Sequence, residues 1–249
     1  MIDIKGKVAI VTGGARGIGK AIVLRLAQHG CHVAFNYSKS QAEAQALALQ
    51  AQKCGVRCKA DQVDIKDFDA VKEWIEGVRA DLGGLHILVN NAGITIDKAF
   101  MLMSQEDWHQ VMDTNLNGAF YAARCCIVTF LKQREGHIIN ISSVAGSAGL
   151  PRQVNYSASK GGMDTMTKAL AKEVAAYNVR VNAIAPGFTD TEILSGFSAE
   201  DKQRIESVIP LGRMARPEEI ADCVDFLLGK EASYLTGQII QIDGGLSIR

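Results

Sequence analysis

The sequence predicts an α/β protein: a single doubly wound, parallel sheet of seven strands with helices on both faces. Three observations lead there. Apolar runs of strand length alternate with longer segments of helical period from one end of the chain to the other. Most of the runs are rich in Val and Ile without strict alternation, as expected of strands buried on both faces. Parallel strands also need crossovers, and the helical segments between the runs supply them.

In order, the strand-like runs are 7–12 (KVAIVT), 31–37 (CHVAFNY), 56–60, 86–90 (HILVN), 137–142 (HIINIS), 179–184 (VRVNAI) and 238–242 (QIIQI). Between them, apolar residues recur at three- and four-residue intervals over 18–29, 41–54, 68–82, 105–132, 156–177 and 217–228. With four prolines and no linker rich in Ser or charge, the 249 residues are expected to form a single domain, 1–249. No low-complexity tract or fixed-period repeat occurs.

Composition narrows the function. Apolar residues make up 47% and charged residues 22%, too apolar for a disordered chain. Lys plus Arg equals Asp plus Glu at 27 each, which argues against a nucleic-acid or membrane-surface binder working through bulk charge. The longest uncharged stretch, Gly136 to Pro151, is shorter than a membrane span and carries Asn, Ser and Gly. The chain reaches its first strand by Val8, too soon for a signal peptide, so a cytoplasmic location is expected. The six cysteines (31, 54, 58, 125, 126 and 223) have no framework spacing and read as reduced thiols. The five histidines form no ligand pair, so no metal is expected.

In such a sheet, ligands bind beyond the carboxyl ends of the strands, where the strand order reverses. After the first strand stands Thr12-Gly13-Gly14-Ala15-Arg16-Gly17-Ile18-Gly19, then a helix. Glycines at that turn let backbone N–H groups approach a pyrophosphate at a helix N-terminus, although a tight turn alone would also explain them. The second strand ends Asn36-Tyr37-Ser38-Lys39, with no acid from His32 through Ala42 to take a ribose 2′-hydroxyl. Arg16 and Lys39 could instead meet a 2′-phosphate, which points to NADP(H).

Tyr156 and Lys160 lie four residues apart, on one helix face, where an ammonium can lower a phenol's pKa from about 10. Ser143 ends the preceding strand and could polarise a carbonyl, with Ser142 its immediate rival. Asn90-Asn91-Ala92-Gly93 closes the fourth strand. Asn115 falls mid-helix, where an Asn either has a task for its amide or kinks the helix. Pro186-Gly187 follows the sixth strand.

Over essentially its whole length the chain resembles the classical short-chain dehydrogenase/reductases, a Rossmann-type family. The resemblance rests on Thr12 to Gly19, Asn90 to Gly93, Asn115, Ser143, the Tyr156/Lys160 pair and Pro186-Gly187. Within the family it is most similar to the bacterial 3-oxoacyl-(acyl-carrier-protein) reductases, through the stretches 91–95, 186–191, 210–213, 235–238 and 243–245. The resemblance implies NADP(H)-dependent reduction of a 3-oxoacyl thioester, with Tyr156 giving the proton and Ser143 holding the oxygen. Lys160 would lower the Tyr pKa and grip the nicotinamide ribose, and Asn115 would seat a relaying water. It further implies that Asp64 meets adenine, that Asn91, Ala92 and Gly93 line the cofactor, and that Thr189 and Thr191 reach the carboxamide and pyrophosphate. The segment 188–214, with Ile193, Leu194, Phe197 and Ile209, reads as a mobile lid over an apolar acyl chain.

Such reductases carry two rim arginines for the acidic carrier protein. Arg134 matches one, and the other position holds Tyr177. The family implies a homotetramer built on the long helices. Reduction of another ketone, alcohol, sugar or steroid remains an alternative, as does a non-catalytic subunit of a heteromeric reductase.

Overall fold

The computed structural model describes residues 4–192, 196 and 198–248. Seven strands form one fully parallel sheet: β1 (Val8–Val11), β2 (His32–Tyr37), β3 (Cys58–Gln62), β4 (Ile87–Asn90), β5 (Gly136–Ile141), β6 (Val179–Pro186) and β7 (Ile239–Ile242). Their order is β3-β2-β1-β4-β5-β6-β7, so the winding reverses between β1 and β4. That reversal opens the crevice at the carboxyl edge.

Alternate strand residues enter separate cores. Ala9 and Val11 pack with Val33, Phe35, Ile87 and Val89 beneath α1 (Gly17–Gln28), α2 (Gln41–Gln52) and α9 (Pro217–Leu228). Val8 and Ile10 pack with Leu88, Ile138 and Val181 beneath α3 (Phe68–Leu82), α5 (Gly118–Gln133) and α7 (Val154–Val174). Two covered faces explain why these strands lack polar alternation. Local caps set the helix starts. Asp67 accepts from the backbone N–H groups of Asp69 and Ala70 to open α3, and Ser104 and Asp107 form a reciprocal box at α4 (Gln105–Met112).

Two expected elements are corrected. The third strand begins at Cys58, where pairing with Val33 starts, and runs to Gln62 instead of spanning 56–60; Val56 and Arg57 belong to the approach from the turn at Gly55, whose φ is 78°. The expected helix over 105–132 is two helices, α4 and α5, joined by a π-turn at Asp113–Asn117 that contains Asn115. Two short helices fall outside the sequence reading: α6 (Ala145–Ala148) and α8 (Ala199–Ser207), the latter within the expected lid.

The ends of the segment expected to form a lid are pinned together, with Asp190 N–H donating to the Ala215 carbonyl at 2.8 Å and Ala215 N–H to the Phe188 carbonyl at 2.9 Å. Ile209 and Met214 anchor its base against Phe188, Ile205 and Leu246. Ile193, Leu194 and Phe197 lie outside the described residues.

Candidate active site

The turn after β1 is compressed to a degree that only glycine permits. At Gly13, φ is 64° and an added Cβ would lie 2.9 Å from the Ala92 Cα; at Gly19 it would lie 2.4 Å from the Gly13 carbonyl oxygen. The side chains around this turn hold it in shape. The Thr12 hydroxyl accepts from the N–H groups of Asn91 and Ala92, both at 3.0 Å. The Asn91 amide donates to the carbonyls of Thr12 (3.0 Å) and Gly13 (2.9 Å). Asn36, a candidate cofactor-binding residue by its place near the end of β2, has its amide turned under the turn, accepting from Gly13 N–H at 2.9 Å and donating to the Val63 carbonyl at 2.9 Å. Thr12, Asn36 and Asn91 therefore buttress the cradle, and its open side is left to backbone N–H groups at the start of α1.

Around the cradle stand the other expected residues. Thr191 approaches Gly17, its Cγ2 3.3 Å from where a Cβ would sit. Together with Lys20 and Ala21 they line a cavity of about 310 Å³ between α1 and residues 190–192. Pro186 ends β6, and an added Cβ at Gly187 would lie 2.9 Å from Asp243. Thr189 is buried with its hydroxyl unpartnered among the described residues. Arg16 and Lys39 are exposed, and among the described residues no carboxylate pairs with either. Asp64 is exposed just beyond β3, where it accepts from Lys66 N–H at 3.0 Å. A glycine cradle, an orphaned hydroxyl and two free cations fit a dinucleotide with an additional phosphate.

The second half of the site lies across the crevice, at the ends of β4 and β5. Ser143 and Tyr156 come together: the Ser143 side chain is near enough to the phenol to lower its pKa, and the Ser143 hydroxyl accepts from Ala145 N–H at 3.2 Å. Ser142 faces the other way. It is buried, and its hydroxyl donates to the Lys160 carbonyl at 3.4 Å and lowers the Asp164 pKa against the rise that burial causes. Lys160 is buried, donates from Nζ to the Ile141 carbonyl at 2.7 Å and lies 5.6 Å from the Tyr156 ring centroid. Nζ also lines the floor beneath Gly93, 3.6 Å from the position of an added Cβ there.

The electrostatics differ from expectation in one respect. Burial raises the Tyr156 phenol above its ordinary value, opposed by the Ser143 bond and reinforced by the Asp97 carboxylate; Lys160 is not among the groups that move it. Burial meanwhile pulls Lys160 down to about 8, with Asp164 opposing. Burial thus holds the phenol protonated and does not make it more acidic.

Asn115 is fully buried in its π-turn. It accepts from Ile94 N–H at 2.8 Å and donates to the Ile94 carbonyl (3.0 Å) and the Ser159 hydroxyl (3.1 Å), tying the loop after β4 to α7. A π-turn at a functional site gives such an Asn both a distorted backbone and partners.

Sequence reasoning passed over several neighbours. Asn155 donates to the carbonyls of Ile96 (3.2 Å) and Asp107 (3.3 Å) and accepts from Tyr156 N–H at 2.8 Å, which fixes the start of α7. Gln153 donates to Asp97 at 2.9 Å, and Lys98 N–H donates to the Arg152 carbonyl at 2.9 Å. The Asn directly before the Tyr was the signal available for the first of these.

At the rim, the Arg134 guanidinium lies 5.7 Å from the Tyr177 ring centroid and donates to the Ala176 carbonyl at 2.8 Å. The residue in place of the second rim arginine is thus the one that holds the first.

A family profile described as Enoyl-(Acyl carrier protein) reductase matches residues 13–247. Relatives named 3-oxoacyl-(acyl-carrier-protein) reductase include one from Staphylococcus aureus, 43% identical over 240 residues, covering 96% of this chain and 98% of the relative. Others come from Aquifex aeolicus (44% over 246 residues, 98% and 99% covered) and Thermotoga maritima (44% over 248 residues, 98% and 99% covered). Among solved structures, one described as a candidate short-chain alcohol dehydrogenase from Sinorhizobium meliloti superposes with a TM-score of 0.93 at 37% identity, covering 98% of this chain and 97% of that one.

Proposed function

Because this chain belongs to the short-chain dehydrogenase/reductase family, we propose that it reduces the ketone of a 3-oxoacyl thioester to the 3-hydroxyacyl thioester, using NADPH. The observation that carries the reading is the pairing of Ser143 with Tyr156 above a buried Lys160, at the carboxyl edge beside a glycine cradle. The profile's description names a C=C reduction and the relatives a C=O reduction. Two adjacent hydroxyls, one kept protonated by burial, suit an oxygen that gains charge and then a proton, which favours the ketone.

When bound, reduced nicotinamide supplies the hydride. Gly13, Arg16, Gly17, Ile18, Gly19, Lys39, Asp64, Ala92, Gly93, Pro186, Gly187, Thr189 and Thr191 would hold the dinucleotide, with Thr12, Asn36 and Asn91 shaping its cradle. Ser143 orients the substrate oxygen, and Tyr156 donates to that oxygen the proton that burial keeps on it. Lys160 holds a positive charge beneath the site and would bind the ribose hydroxyls of the nicotinamide half. Asn115 acts as a positioning residue through Ile94 and Ser159.

Arg16 and Lys39, with no carboxylate closing β2, favour NADPH at least about tenfold over NADH, the worth of one charge contact at roughly 1.4 kcal/mol. The relatives' names support acyl carrier protein as the carrier. The engagement of Arg134 by Tyr177 favours a second reading, a coenzyme A thioester. We infer one catalytic domain over the whole chain, assembled as a homotetramer through the apolar residues that α5 exposes, Phe120 and Val128. Among the described residues no helix is long and apolar enough to cross a membrane.

The test is steady-state reduction of 3-oxoacyl thioesters against a panel of ketones, alcohols, sugars and steroids, with NADPH and NADH. Thioester turnover that falls at least about 100-fold in Tyr156→Phe is expected. Absence of thioester turnover, or a Tyr156→Phe variant as fast as the wild type, would overturn the reading.

A further inference from the structure

Among the described residues, three other than glycine adopt a left-handed backbone: Arg134, Asn178 and Arg152. Arg134 and Asn178 both have side-chain partners that explain them, since Arg134 stacks on Tyr177 and Asn178 donates to the Arg134 carbonyl. Arg152 has none. Its φ is 68°, a conformation that costs any residue with a Cβ and that glycine or Asn would take more readily.

The position is held by hydrogen bonds and lies close in sequence to Tyr156. Arg152 stands four residues before Tyr156, in the turn between α6 and α7. Its carbonyl is fixed by Lys98 N–H at 2.9 Å, and the residue after it, Gln153, is bonded to Asp97 at 2.9 Å. Asn155 then ties the same turn to Ile96. The loops after β4 and β5 are thus stapled together at the mouth of the site, with Arg152 exposed on that staple.

The charged side chains near it have other partners. Lys98 pairs with Asp107 at 2.7 Å, and the Asp97 carboxylate accepts from Gln153. Among the described residues no carboxylate lies within 4 Å of the Arg152 guanidinium. A strained backbone kept in a well-bonded turn thus presents an exposed, planar, five-donor cation close in sequence to Tyr156.

We propose that Arg152 determines substrate specificity by holding the phosphate at the far end of the pantetheine arm that carries the 3-oxoacyl group. The proposal rests on the thioester reading above and extends it. Coenzyme A and a carrier protein's prosthetic arm both present that phosphate, whereas acetoacetyl-pantetheine has the same reacting end without it.

The experiment compares wild type, Arg152→Gly, Arg152→Asn and Arg152→Lys on acetoacetyl-coenzyme A, acetoacetyl-carrier protein and acetoacetyl-pantetheine. Gly and Asn suit the backbone, so their melting temperatures should match or exceed that of the wild type. Expected is a KM raised about tenfold for phosphate-bearing substrates in the Gly and Asn variants, with kcat within about twofold and the pantetheine KM unchanged. Lys should recover part of the loss, since it keeps the charge without the fork. A rise with one carrier alone supports the proposal and names the source of the phosphate. Equal effects on all three substrates, or none, would overturn it. A wild type that reduces none of the three would overturn the thioester reading and the proposal with it, a result distinct from a variant that fails to discriminate.

Discussion

Lys160 should be a residue that the fold would be more stable without. Burial pulls its ammonium from 10.5 to about 8, so at pH 7 the folded protein carries a charge that the unfolded chain holds more comfortably. Two and a half pH units at 1.36 kcal/mol each give a penalty of about 3 kcal/mol. Replacement by Met removes the charge and keeps much of the volume. It also removes the bond from Nζ to the Ile141 carbonyl, a loss of roughly 1–2 kcal/mol. Lys160→Met should therefore gain about 1–2 kcal/mol at pH 7, at roughly 2–4 °C of melting temperature per kcal/mol for a chain of this size.

The pH dependence has a definite sign. Between about 8 and 10.5 the unfolded chain binds the proton that the folded state has released, so wild-type stability from this group rises with pH across that window. The advantage of the Met variant should shrink accordingly and reverse near pH 10. Calorimetry at pH 7, 8.5 and 10 on both proteins measures the difference, and other lysines cancel in it. Turnover should fall at least about 100-fold in the same variant. A Met variant less stable at pH 7, or a stability difference independent of pH, would refute the reasoning.

Other perturbations have equally direct readouts. Gly19→Ala drives a Cβ to within 2.4 Å of the Gly13 carbonyl oxygen and 2.6 Å of the Asn91 amide, and should cost roughly 1–3 kcal/mol in urea unfolding. Gly77→Ala, on the exposed face of α3 with nothing within 4 Å, should instead gain roughly 0.5–1 kcal/mol. Burial holds His137 near 4, so its contribution to stability is lost as pH falls from about 6.5 toward 4. That loss is at most about 3 kcal/mol, and His137→Asn should flatten it in melting curves across the window. A thiol-specific disulfide reagent should modify Cys54 quickly, Cys125 slowly and the others only on unfolding, because Cys31, Cys58, Cys126 and Cys223 are buried with thiols pushed upward, those of Cys31 and Cys58 to about 12. Rapid labelling of two or more thiols in the native protein would contradict that order.

What the sequence made legible was whatever depends on period and local order. Seven apolar runs separated by helical segments leave a parallel sheet as the economical solution, and the strands lie within a few residues of those runs because burial on both faces demands continuous Val and Ile. The break at Asn115 was visible as a helix-unfriendly amide in mid-segment, but its form was not. A π-turn depends on where Ile94 and Ser159 lie, 21 and 44 positions away. The start of the third strand failed for a similar reason: Val56 is apolar enough, yet the residue register with β2 begins only at Cys58, opposite Val33.

The site divides along the same line. Tyr156 and Lys160 sit on one helix, so spacing alone brought them together, whereas choosing Ser143 over Ser142 required knowing which hydroxyl turns toward α7's buried Asp164. The two asparagines Asn36 and Asn91 show a limit of reading residues by what they could touch. Each stands where a ligand contact is chemically sensible, and each spends its amide on the backbone of the glycine turn. That expenditure is functional in its own way. A turn with φ near 64° at Gly13 and 53° at Gly17 is open to many conformations in the unfolded chain, and a phosphate site made of backbone N–H groups works only if those groups are already aimed. Thr12, Asn36 and Asn91 supply the aim. Their replacement by isosteric apolar residues should therefore weaken dinucleotide binding without removing a single contact to the dinucleotide.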